Sequence, residues 1–151
     1  MHTSPQVRAS IDGLLTSGAV LGVDLVKLAW QCASTFRVTD YTGGCNGARV
    51  LQQPQSSWAG NAGLGAVKQQ LSVVKAAHGR ALSWADLIVL AGNTALEAMG
   101  GQSVPFCPGR CAQLPSSRPL SCPRGSRPTA TPRPPLLPTA PAEQPQLNSP
   151  S

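Results

Sequence analysis

Apolar positions fall at helical intervals in three main stretches of the chain. Leu25, Leu28, Ala29, Cys32, Ala33 and Phe36 recur at steps of three and four, which predicts a helix from about Asp24 to Phe36. Asp24 stands at its start, where a carboxylate can cap free amides and suits the positive helix end. Ahead of it, Ile11, Leu14 and Leu15 make a briefer apolar pattern closed by Ser17 and Gly18, which predicts a separate short helix. Leu64, Val67, Leu71 and Val74 line one face of a second main helix, about Leu64 to His78. Lys68, Gln69, Gln70 and Lys75 lie off that face, and Gly79 is placed as a C-cap. The third main helix begins at Ser83, which with Asp86 makes a capping-box-like start. The run Leu87 to Ala91 is apolar all round, as expected of a helix buried in a core. Gly92 would let another helix approach closely, and Met99, Gly100 and Gly101 end the element.

Between the first and second main helices, Gly43, Gly44, Asn46, Gly47 and Pro54 favour turns over regular structure. No internal repeat is visible, and the periodicity supports an all-α fold. Composition changes abruptly near Arg110: eleven of the fifteen prolines lie after it, and Glu143 is the only acid there. That divides the chain into a helical domain, 1–110, and a Pro/Arg/Ser-rich tail, 111–151, expected to be disordered with polyproline II character. Such a tail suits either a ligand for SH3-like or WW-like domains or an extension read out of frame, and the second is preferred.

The net charge of +6 divides evenly. Residues 1–110 hold eight Lys or Arg against five Asp or Glu, and the tail holds four Arg against one Glu. The basic residues before Arg110 are scattered, with no cluster and no aromatic RNA-binding phrase, so a nucleic-acid partner is not expected. No apolar run approaches the roughly 18 residues of a membrane span, and no secretory signal is evident. Cys32, Cys45, Cys107, Cys111 and Cys122 are odd in number and irregularly spaced, which favours reduced thiols in a soluble intracellular protein. Cys107, Cys111 and Cys122 fit no familiar zinc spacing and lack a fourth ligand, so no metal is expected.

The phrase from Leu28 to Arg37, LAWQCASTFR, followed by GGCNGAR at 43–49, resembles the catalase-peroxidases, class I haem peroxidases built from two tandem peroxidase-like domains. SWADLIVLAGN at 83–93 and VPFCPGR at 104–110 agree with the same family, in its order and approximate spacing. The resemblance covers about residues 10–110 and implies the first half only of a haem-peroxidase-like helical domain. In the family's active domain the distal helix carries Arg-x-x-Trp-His, which the i, i+3, i+4 spacing sets on one face. The matching positions here are Lys27, Trp30 and Gln31, and Asn93 matches an asparagine that orients the distal histidine.

That substitution decides the chemistry the resemblance implies. A glutamine amide cannot exchange a proton near neutral pH, and losing the acid/base group costs on the order of 10²- to 10⁴-fold in rate. Lys27 keeps a charge without the planar fork of Arg. The family's haem-free C-terminal domain also lacks the histidine, and its Ala-Ser-Thr-Phe-Arg and Gly-Ala-Asn-Gly-Ala-Arg phrases are closer to Ala33–Arg37 and Gly44–Arg49. The chain is therefore read as a fragment of that domain type, with no catalytic residue and no cofactor of its own; the complete family member carries haem b.

The iron-binding histidine of the family belongs to a later helix than the resemblance covers, and neither His2 nor His78 is placed as its equivalent. Trp30 matches the tryptophan of the family's Met-Tyr-Trp cross-link, but without its partners it is expected to be a core residue. Asn93 is expected to bond nearby backbone, with a bond to Gln31 as the sharper possibility. Asp86 and Glu97 are assigned to helix capping and a solvated face, while Arg37 and Arg49 have Asp40 and Asp86 as candidate partners. The partners implied are the remainder of a peroxidase-like domain or a homodimer mate. The competing functions are a working haem peroxidase and a proline-rich interaction module.

Overall fold

The computed structural model describes residues 3–110, and the proline-rich tail lies outside them. Four α-helices make up the fold: α1 (Thr3–Thr16), α2 (Gly22–Ala33), α3 (Gly65–His78) and α4 (Trp84–Ala98). Short 3₁₀ turns at Arg49–Leu51, Gln55–Ser57 and Ala59–Asn61 occupy the connection between α2 and α3, and a fourth, Gly79–Ala81, joins α3 to α4. Among the described residues there is no strand element, so the chain is all-α.

α1 is longer than its Ile11–Leu15 pattern predicts, because Val7 extends the same stripe back a turn and is fully buried with Ile11. It ends in a paired set of bonds, Gly18 N–H to the Leu15 carbonyl and Ala19 N–H to the Leu14 carbonyl, both 3.1 Å. Gly18 supplies the left-handed φ of 70° that this C-terminal motif requires. α2 begins two residues earlier than predicted: Leu21 is its N-cap without a side-chain bond, and Asp24 sits inside the first turn. The helix also ends at Ala33 rather than Phe36. There the chain from Gly43 folds back so closely that a Cβ at Gly43 would lie 2.1 Å from the Thr35 carbonyl oxygen. Only glycine permits that return.

α3 matches its predicted stripe, with Val67, Leu71 and Val74 buried and Gly79 at the C-cap in a left-handed conformation. Lys75 Nζ donates to the Gly79 carbonyl. Lys68 Nζ donates to the Val50 carbonyl at 3.2 Å, tying α3 to the first 3₁₀ turn, and burial pulls its pKa below the ordinary value. The Ser83 hydroxyl of α4 accepts the Asp86 N–H at 3.0 Å, as the capping reading requires. Leu87, Ile88, Leu90 and Ala91 are buried on every side, so α4 is the central helix.

α2 packs chiefly on α4, and α1 crosses α4 and α3. At the α2–α4 contact a Cβ on Gly92 would come 2.3 Å from the Ala29 Cβ, so the two backbones meet as closely as the glycine allows. The centre of the core is Val7, Ile11, Leu25, Leu28, Leu71, Leu87, Ile88 and Leu90. Each such buried aliphatic side chain stabilises the fold by roughly 1.5–3 kcal/mol relative to exposure.

Candidate functional site

α2 buries Leu25, Leu28 and Cys32 against the core. In a helix of 3.6 residues per turn, a residue two places from both Leu28 and Cys32 points away from them. Trp30 is that residue, and it is 67 % exposed. The expectation of a core tryptophan is thus corrected: the periodicity that buries Leu28 and Cys32 turns Trp30 outward. Lys27 shares the outer side, and its Nζ donates to the Ala62 carbonyl at 3.1 Å.

Gln31 is half-buried, and its side chain lies against the third 3₁₀ turn. A Cβ added to Gly60 would stand 2.7 Å from Gln31 Nε2. The Gln31 main-chain carbonyl accepts from Gln55 Nε2 at 2.9 Å, and Asn61 Nδ2 donates to the Gln55 carbonyl at 2.6 Å. Gln55 and Asn61 are both buried, so this chain of amides pins the 3₁₀ region to the flank of α2. Asn93 is half-buried, and its Nδ2 donates to the Val104 carbonyl at a long 3.4 Å rather than to Gln31. The four positions matched to a distal site therefore stand on two helices, with Lys27 and Asn93 each bonded to a different main-chain carbonyl. Two open clefts lie nearby, and neither is lined by Lys27, Trp30, Gln31 or Asn93.

The charged residues are more structural than the pattern predicts. Asp86 is 6 % exposed, and its carboxylate accepts the N–H groups of Gly109 (2.9 Å) and Arg110 (3.2 Å) and one Arg110 guanidinium N–H (3.3 Å). It anchors the 101–110 segment to α4, a role that capping alone does not describe. Glu97 is paired with Arg8 at 2.7 Å and accepts from Ser103 at 2.9 Å, which corrects its assignment to a solvated face. The Ser103 hydroxyl, and after it the Arg8 guanidinium, hold the Glu97 carboxyl below its ordinary value against an opposing partial desolvation. Arg37 takes Asp40 at 2.8 Å, and Arg49 has no carboxylate partner among the described residues.

Cys32 and Cys45 form a disulfide, with Cα atoms 4.6 Å apart and both residues buried. The expectation of reduced thiols fails for this pair, because an odd count and irregular spacing conceal two cysteines that the return of the chain at Gly43–Gly44 brings together. Cys107 is exposed as a free thiol, while Cys111 and Cys122 lie outside the described residues. Among the described residues no group of His, Cys, Asp and Glu could hold a metal ion. The one described histidine, His78, sits in the last turn of α3, and His2 lies outside the described residues. No described helix is long and apolar enough to cross a membrane.

Residues 7–145 match the family described as peroxidase, a span that runs past Arg110 into the proline-rich segment. Among individual proteins, the chain is 42 % identical over 113 residues to the catalase-peroxidase of Shewanella loihica, covering 70 % of this chain and 15 % of that protein. Catalase-peroxidase 2 of Legionella pneumophila (strain Lens) is 44 % identical over 85 residues, covering 56 % and 11 %. The catalase-peroxidase of Natronomonas pharaonis is 47 % identical over 85 residues, covering 56 % and 12 %. The chain spans about a seventh or less of the length of these relatives.

Proposed function

The chain belongs to the peroxidase family, and from that premise we propose that it is a non-catalytic, structural portion of a catalase-peroxidase-type protein. We assign it to the haem-free C-terminal type of domain, within a complete protein that breaks down hydrogen peroxide. The observation that carries this reading is Gln31. Peroxide cleavage needs a group that takes a proton from one oxygen and returns it to the departing one. The Gln31 amide cannot, and its main chain is committed to Gln55 as a packing contact.

The surrounding side chains support the same reading. Lys27 is engaged with the Ala62 carbonyl, and Trp30 stands in solvent. Complete family members hold haem, whose iron needs an axial side-chain ligand. Among the described residues the donor set does not fit that group: the one histidine, His78, is on α3, which packs chiefly on α1 and α4. No step through a haem is therefore derived for this chain. The partner we assign to the outer side of α2 is the remainder of a peroxidase-like domain or a second copy.

Titration of the purified chain with haemin, followed by a peroxide-consumption assay, tests the proposal. The expected result is no saturable histidine-type Soret band and no turnover, for the wild type and for Gln31→His alike. A tight, saturable band accompanied by peroxide turnover would establish a working haem peroxidase instead.

A further inference from the structure

Arg49 has no carboxylate partner among the described residues. The turn that presents it is built by Gly47 and Ala48, both in left-handed backbone, φ 91° and 50°. Ala48 and Val50 are buried on either side, so the chain enters and leaves the core around an exposed Arg49. Arg37 and Arg110 stand near it in the two clefts, but Asp40 and Asp86 neutralise them at 2.8 and 3.3 Å. Arg49 lines both clefts. Among the described residues lining either one there is no carboxylate.

The first cleft, about 600 Å³, has a second property. Phe36 and Tyr41 form part of its wall, with ring centroids 6.4 Å apart and planes tilted by 57°. Both rings are at least half exposed, an unusual placement for side chains that gain by leaving water. The Gly43–Gly44 return lines the same cleft, and a Cβ at Gly44 would touch the Phe36 ring at 3.5 Å. A planar cation, an apolar aromatic wall and a volume within the small-ligand range of about 300–1,000 Å³ therefore share one concavity.

We propose that this cleft is a binding site for a small aromatic carboxylate, held by Arg49 through its carboxylate and by Phe36 and Tyr41 through its ring. The Arg fork matches a carboxylate through two parallel N–H···O bonds, which a neutral amide of the same shape cannot accept with equal strength. The site is independent of the peroxidase reading, because none of Lys27, Trp30, Gln31 or Asn93 lines it. Its open mouth makes the binding weak and fast.

Amide NMR of the full chain, titrated with sodium benzoate, benzamide and sodium acetate in parallel, tests it. Benzoate is expected to give saturable shifts at Gly43, Gly44 and Arg49. Charged hydrogen bonds being the stronger class, benzamide and the Arg49→Gln variant should bind at least about tenfold more weakly. Arg49→Lys should fall between, acetate should bind more weakly than benzoate, and Arg80→Gln should match the wild type. Failure of benzoate to saturate overturns the proposal. So does equal binding by benzamide or acetate to the wild-type chain, comparisons that need no variant to fold.

Discussion

At the scale of single residues, polar side chains in this protein act mainly as fasteners. Asp86 is the clearest case, a buried carboxylate taking three donors from Gly109 and Arg110. Asp86→Asn replaces one acceptor oxygen with an NH₂ that faces those same donors. We expect a loss of roughly 1–3 kcal/mol, concentrated in the 106–110 segment. Amide hydrogen exchange at Gly109 and Arg110 would report it; unchanged protection there would show that the segment is held by something else. Glu97 makes a pH-dependent fastener. Its folded carboxyl is held below the ordinary value of 4.5, so the unfolded chain takes up the proton first as pH falls. The stabilisation is therefore complete above about pH 4.5 and is lost as pH drops through the lower, folded value. Glu97→Gln should flatten that acid limb of the urea-midpoint profile and leave the neutral limb's slope unchanged.

The elements are decided by which side of each helix is buried. α4 buries Leu87, Ile88, Leu90, Ala91, Thr94 and Ala95, and Gly92 is where α2 comes close. Gly92→Ala places a methyl 2.3 Å from the Ala29 Cβ, so α2 must move away from α4. Alanine's better helix propensity, about 1 kcal/mol, is outweighed by an overpacking cost of about 1–3 kcal/mol, larger here because backbone must shift. Equilibrium urea unfolding would show a lower midpoint; a raised midpoint would mean that α2 is free to slide. How far these elements were legible in sequence follows the same logic. The stripes of α3 and α4, the Ser83 cap and the Gly79 stop are local, and all four are found as predicted. The ends of α2 were missed because its start has no side-chain cap and its end is set by the distant Gly43 return.

For the whole molecule, the salient property is an apolar side with no cover among the described residues. Leu21, Val23 and Trp30, at and beyond the start of α2, are each more than half exposed. Val23 and Trp30 are seven residues apart and so stand on the same side of α2, and apolar side chains left in water there make an interaction side or an aggregation liability. We expect the weight-average mass in sedimentation to rise with concentration, and Val23→Ser with Trp30→Ser to suppress that rise. A chain that stays monomeric at all concentrations, with or without those changes, would remove a second copy as the assigned partner. The same surface bears on stability, since roughly a hundred residues sit near the lower end for a self-sufficient core.

Sequence alone determined the all-α class, the face of α3, the buried run of α4, the close approach at Gly92 and the family. Each depends on residues within a few turns of one another or on a phrase read in order. The proposed match of Gln31 to the family's proton-transfer residue also rests on sequence, because that match is positional. Tertiary structure alone decided that Cys32 meets Cys45, that Asp86 holds Arg110, and that Arg49 has no carboxylate partner among the described residues. Those outcomes turn on where the loop of 34–44 and the segment of 101–110 return to the helices. Such returns bring together residues separated by 13 to 24 positions, and no local periodicity encodes them.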